Sequence, residues 1–205
     1  MIKAFIVNSV MCTEYWTTLG EWVEFPTTKE KIEMAFESIG IKCGDCYGYL
    51  IKECESPICG LISYVSEHEE LDKLNYLACL IDGMPERDLD KFIAIMGSGC
   101  SDAENLDDVI NLIFNLDAYD IIPEIYDYEC LGVYYAKNAG IVDIPHELMD
   151  YIDYGRYGRK IAMDDGGGIF GDYYVRPTGE ALTKVFDGSC ENIPAKYRIF
   201  QHSVI

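Results

Sequence analysis

The chain has 205 residues, 49% of them hydrophobic, and its 36 Asp and Glu against 16 Lys and Arg give a formal net charge of −20. With 16 Tyr it is too aromatic for a disordered acidic tail, so the charge decorates folded elements. Such a field repels nucleic acid and anionic membrane, which are excluded as partners, and attracts a positively charged groove. No run approaches the roughly 18 apolar residues of a membrane span, and the start lacks the basic and long apolar pattern of a secretion signal, so a cytoplasmic location is expected.

The acidity belongs to one region. Residues 45–130 hold 20 Asp and Glu against Lys52, Lys73, Arg87 and Lys91, whereas residues 1–44 and 131–205 each carry a net charge of only −2.

In chain order, residues 3–7 read as a first strand, and residues 20–25 alternate polar and apolar as a half-buried strand does. Thr27 to Glu30 is a capping-box pattern, followed by Ile32, Ala35, Phe36 and Ile39 at helical spacing and by Gly40 as a stop. Residues 47–51 and 61–65 read as further short strands. The nine cysteines are odd in number and scattered, which suits reduced thiols. Cys43, Cys46, Cys54 and Cys59 are spaced C-x2-C-x7-C-x4-C, and four thiolates so placed hold zinc if one loop gathers them. The wide second pair favours small, half-buried residues on strands instead, so no metal or other cofactor is expected.

Ser66-x-x-Glu69 is a second capping box, ahead of a stripe of Leu71, Leu74, Leu77, Ala78 and Ile81 that Gly83 ends. Pro85 suits a first helical position before Leu89, Phe92, Ile93 and Met96. Ser101-x-x-Glu104 precedes Leu106, Val109, Ile110 and Ile113. Together these predict a three-helix unit over about residues 66–116. Further on, Asp127 is placed to cap a helix with Leu131, Tyr134 and Tyr135 inward and Gly140 at its end. Pro145 begins another helix with Leu148, Tyr151 and Ile152 on one side. Residues 166–168 and 187–188 read as turns between short strands at 169–170 and 182–186. The fold class is therefore α+β in three small domains: a mixed β/α unit at 1–65, an acidic helical bundle at 66–116 and an α+β unit at 117–205.

The acidic surface predicted for this arrangement comprises Glu67, Glu70, Asp72, Asp82, Glu86, Asp88, Asp90, Asp102, Asp107, Asp108, Asp117, Asp120, Glu124 and Asp127. Acids in a first helical turn complement the macrodipole. That does not account for the scarcity of Lys and Arg later in the same helices, where i,i+4 pairs normally offset self-repulsion. Acids one helical turn apart are spaced by about 6 Å, comparable with two phosphate steps of about 3.4 Å along one DNA strand. Two chains carry about 40 net charges, the charge of about 68 Å of duplex, or roughly twenty base pairs.

Leu19 to Pro26 is similar to the G-x-W-x-x-F-P stretch of the antirestriction protein ArdA family. Residues 131–140, 144–148 and 151–159, ending in Asp153-Tyr154-Gly155-Arg156-Tyr157-Gly158-Arg159, resemble that family's Y-Y, I/V-P-x-x-L and DY-x-x-YGR block. Lys160 departs from the Asp that commonly follows, and the chain beyond Gly166 is longer than in compact members. The resemblance implies an elongated three-domain dimer, encoded on plasmids or conjugative transposons, that mimics DNA and inhibits type I restriction-modification enzymes by filling the DNA groove of the methyltransferase core. Tyr151, Tyr154 and Tyr157 are candidate dimer contacts, since aromatics are enriched at interface centres.

Enzyme chemistry is not expected. His68, His146 and His202 are the available imidazoles, and none lies in a metal-binding motif; no Ser sits in a G-x-S-x-G elbow. Asp164 and Asp165 read as a solvated pair beside a glycine turn. The alternative to a DNA mimic is an acidic adaptor for another basic DNA-binding or defence protein.

Overall fold

The computed structural model describes residues 1–10, 19–41, 48–137 and 145–200. Its elements are β1 (Ile2–Asn8), β2 (Gly20–Phe25), α1 (Lys29–Ser38), β3 (Tyr49–Glu55), α2 (Leu71–Asp82), α3 (Glu86–Ser98), α4 (Leu106–Ile113), β4 (Tyr119–Pro123), α5 (Tyr128–Lys137), α6 (Tyr154–Asp165), β5 (Gly168–Phe170) and β6 (Tyr173–Pro177). The protein is α+β, with two small antiparallel sheets ordered β2-β1-β3 and β4-β6-β5. Contacts within the chain define two compact units, Met1–Glu86 with Ala103–Phe114 and Thr183–Ile205, and Arg87–Asp102 with Asn115–Leu182. These boundaries differ from the expected 1–65, 66–116 and 117–205. Among the described residues no helix is long and apolar enough to cross a membrane.

In the first unit, β1 is the central strand, and its alternation buries Ile2, Ala4 and Ile6 completely enough to anchor a core with Val23, Phe25, Ile32 and Phe36. Full burial of such side chains contributes about 1.5–3 kcal/mol each before the entropy of ordering them is counted. The helix expected after β2 is present, with Thr28 rather than Thr27 at its N-cap. Residues 61–65 are not a strand: Gly60 takes φ 79° and starts a 3-10 turn at Leu61–Tyr64. The serine of the second capping box does not cap α2, whose N-cap is Glu70. The Tyr49 hydroxyl accepts from Leu71 N–H at 3.3 Å and donates to the Glu69 carbonyl at 3.1 Å, which supplies an orphan amide with its partner. Asn105, not Ser101, caps α4, accepting from Asp108 N–H at 3.0 Å.

The predicted three-helix bundle does not form one unit. α2 and α4 belong to the first unit and α3, after Glu86, to the second. The inner faces of α2 and α4 are occupied by the returning chain: Tyr76 packs against Phe186 and Tyr197, and Asn111 bonds to Val185 and Phe186. Residues 182–186, expected as a strand, carry no regular structure because Asn111 takes the backbone groups that a neighbouring strand would pair.

In the second unit α5 and α6 pack most closely of all elements, over a core of Ile125, Leu131, Tyr135, Ala162 and Tyr174. α6 was not anticipated, and it is built from the DY-x-x-YGR residues. Asp153 caps it, accepting from Arg156 N–H at 2.9 Å. Tyr157 packs on the core cluster, and a Cβ at Gly158 would collide with the Tyr128 carbonyl, as one at Gly132 would with that of Tyr154. The helix expected from Pro145 is instead a 3-10 turn, His146–Tyr151, with Leu148 and Tyr151 exposed. Gly140, Tyr47, Cys43 and Cys46 lie outside the described residues.

Two outcomes follow from this packing. Gly158→Ala is expected to destabilise the protein by about 1–3 kcal/mol, the usual cost of overpacking, read as a lower urea midpoint; an unchanged midpoint contradicts the close α5–α6 approach. Burial pushes the Tyr49 hydroxyl up to about 12, against the lowering effect of the Leu71 amide. Because the folded value exceeds the ordinary 10, the stabilising neutral form is fully populated below pH 10 and lost as pH rises through about 12. The stability gap between the wild type and Tyr49→Phe should therefore shrink between pH 9 and pH 12 in thermal melts, and a constant gap contradicts this.

Candidate interaction surface

The fourteen predicted surface acids divide by what their carboxylates touch. In the first unit, Asp72 is only 2% exposed and leaves the surface set altogether. Its Oδ1 accepts from the backbone N–H groups of Ile199 at 2.5 Å and Phe200 at 3.1 Å, so an inward-facing position on α2 that the stripe had left polar is filled by a backbone anchor. Glu70 receives the Cys190 thiol, and Glu67 pairs with Lys52 at 3.0 Å. Asp107 pairs with Lys73 at 3.0 Å. Asp108 accepts from Glu104 N–H at 3.1 Å. In the second unit Asp120 pairs with Arg176 at 3.2 Å, and Asp127 accepts from Cys130 N–H at 2.7 Å as the expected cap of α5.

The others, Asp82, Glu86, Asp88, Asp90, Asp102, Asp117 and Glu124, are exposed and make no hydrogen bond or ion pair with the described residues. Their placement departs from a rail along helix faces. Only Glu86 and Asp90 stand one turn apart on the same helix, α3, which also carries Arg87 and Lys91. Asp82 ends α2, Asp102 lies between elements, Asp117 sits in the 3-10 turn Leu116–Ala118, and Glu124 follows β4 with φ 63°, a left-handed conformation that aims a charged residue out of a turn. The presented charge is thus carried largely by turns and helix ends, where nothing competes with water for the carboxylate.

Two cations manage the acids that do converge, and the sequence reading gave neither a role. Lys73 stands among Glu69, Glu70 and Asp107. Burial pulls its ammonium down, but the Asp107 hydrogen bond and the three negative charges outweigh that and leave it raised. Burial likewise raises the Glu69 carboxyl, with Lys73 opposing. Arg176 on β6 reaches Asp120, the Tyr135 hydroxyl at 2.9 Å and Asp165 at 3.4 Å, and Asp165 also accepts from Tyr174 at 3.1 Å. Asp165 is therefore part of a structural network and not a solvated turn acid.

The tyrosines separate as well. Tyr151 is 86% exposed, whereas Tyr154 donates to the Met149 carbonyl at 3.1 Å and Tyr157 is half-buried in the core. Cys54 and Cys59 are free thiols, and among the described residues no cluster of three or more His, Cys, Asp or Glu is placed to hold a metal.

Fold and surface define an acidic α+β protein with two small sheets that presents unpaired carboxylates on α3, at the end of α2 and on turns. The chain belongs to the ArdA antirestriction family: the family model described as "Antirestriction protein (ArdA)" matches residues 17–176. The family is one of inhibitors rather than enzymes. No curated protein matches the chain.

Lys73→Gln is expected to destabilise the first unit by about 1–2 kcal/mol in urea, because it leaves Glu69, Glu70 and Asp107 facing one another. Asp82→Asn, Glu86→Gln and Asp117→Asn should each stay within about 0.5 kcal/mol of wild type. The reverse ranking contradicts the division drawn above.

Proposed function

We propose that this protein inhibits type I restriction-modification enzymes as a mimic of DNA, its unpaired carboxylates taking the place of phosphates in the DNA groove of the methyltransferase core. No bond is made or broken; inhibition is steric and electrostatic. The observation that carries this reading is the set of exposed, unpartnered acids in a member of an antirestriction family whose net charge is −20. A solvated carboxylate costs little to desolvate partly when a guanidinium or ammonium replaces water, and charge complementarity speeds encounter. Carboxylates already paired internally contribute less, since their cation must be displaced first. The mimic surface is thus weighted towards Asp82, Glu86, Asp88, Asp90, Asp102, Asp117 and Glu124, with Glu67, Glu70, Asp107, Asp108, Asp120 and Asp127 secondary. The working form is a cytoplasmic homodimer from a mobile genetic element, and the exposed Tyr151, with the exposed Leu148, is the proposed dimer contact.

In a competition gel the purified protein should displace a DNA duplex from the methyltransferase core, with potency falling as salt rises. Neutralising Asp82, Glu86 and Asp117 together should weaken that displacement at least tenfold, whereas neutralising Asp107 and Asp120 should weaken it less. Retention of the DNA–enzyme band at excess protein contradicts mimicry and favours the adaptor.

A further inference from the structure

Residues 183–200 lie beyond the stretch that the family model matches, yet they complete the first unit. Three side chains of α2 and α4 hold them, each through the backbone of the returning segment. Asp72 accepts from Ile199 and Phe200 N–H; Asn75 donates to the Tyr197 carbonyl at 2.8 Å while accepting from Thr27 N–H at 2.7 Å. Asn111 accepts from Val185 and Phe186 N–H and donates to the Phe186 carbonyl, all at 2.8 Å. Phe186, Cys190, Ile193 and Ile199 are buried beneath.

The segment is built unlike the sheet it joins. It has no strand pairing and only two three-residue 3-10 turns, Cys190–Asn192 and Ala195–Tyr197. An unbroken exposed run, residues 178–185, precedes it, with Gly179 at φ 83°. We propose that residues 186–200 form a strap that seats and unseats on the first unit as one piece while β1 stays folded, with Asp72 as its latch. A buried carboxylate is tolerable only with its hydrogen bonds made. The seated strap supplies Asp72 with two, and water supplies them when the strap leaves. The polar anchors at Asp72, Asn75 and Asn111 can therefore all be re-solvated on opening, so that each adds only a modest net stabilisation to the seating that the buried apolar residues of the strap provide. Seating withdraws Asp72 from solvent and engages Glu70 through the Cys190 thiol.

Hydrogen exchange on the full-length protein, read by mass spectrometry, tests cooperativity from opposite ends. Asp72→Ala should speed exchange at Phe186, which Asn111 holds, by at least tenfold; Asn111→Ala should do the same at Ile199 and Phe200, which Asp72 holds. Alkylation of the buried Cys190 should rise in both variants, and exchange across β1 should not change in either. Acceleration confined to the amides bonded to the replaced side chain means local fraying and overturns the strap. Loss of β1 protection in step with the segment means that it is an inseparable part of the core, which overturns the proposal equally.

Discussion

The surface of this protein is conditioned by self-repulsion among carboxylates on a small scaffold. A pair of unit charges 4 Å apart interacts by about 1 kcal/mol in water and by about 4 kcal/mol at the effective dielectric of a protein surface. Spreading charge outward is therefore cheap and gathering it is not. The chain obeys this gradient. Where acids gather, around α2 and α4 or against β6, a single cation stands among them, Lys73 in one case and Arg176 in the other. The acids that no cation pairs lie on the exposed face of α3, at the end of α2 and on turns, where they face water. A surface assembled in this way remains strongly negative at little cost in stability, which is what a decoy for a positively charged groove requires.

The residues that mark the family have a mainly structural role. Asp153 starts α6, Tyr157 enters the core, Gly158 lets α6 approach α5 to backbone contact, and Arg159 lies over the Tyr128 ring at 5.9 Å. These positions build a helix pair, so the sequence block that identifies the chain and the surface proposed to act are different residues. An exposed carboxylate can be exchanged between Asp and Glu with little effect on packing, whereas the scaffold has no room for a methyl group at Gly158.

Local chemistry made much of the fold legible. The alternation of residues 20–25 and the stripe from Leu71 to Ile81 correspond to β2 and α2, and Asp127 caps α5 as its position before an apolar run suggested. What the sequence hid is long-range. The Tyr49 hydroxyl displaced Ser66 as the partner of the α2 N-terminus from 22 positions away. The segment at 186–200 occupies the inner faces of α2 and α4, and its anchors are Asp and Asn side chains that read as ordinary surface polarity. Asp72 shows the limit most plainly. A carboxylate in a first helical turn normally faces solvent, and here backbone amides 127 and 128 positions later hold it inward. The acidic surface was legible as composition, but the division between paired and unpaired carboxylates depends on Lys73 and Arg176, whose reach no local pattern encodes.

The central claim is that unpaired carboxylates, rather than acidity in general, meet the target enzyme. Carbodiimide footprinting of the free protein and of its complex with a type I methyltransferase core tests it directly, because modification reports each carboxylate separately. The account predicts strong protection of Asp82, Glu86, Asp88, Asp90, Asp102, Asp117 and Glu124 in the complex, with the reactivity of Glu30 and Glu191 unchanged. Uniform protection of all exposed carboxylates, or protection that spares those seven, contradicts it.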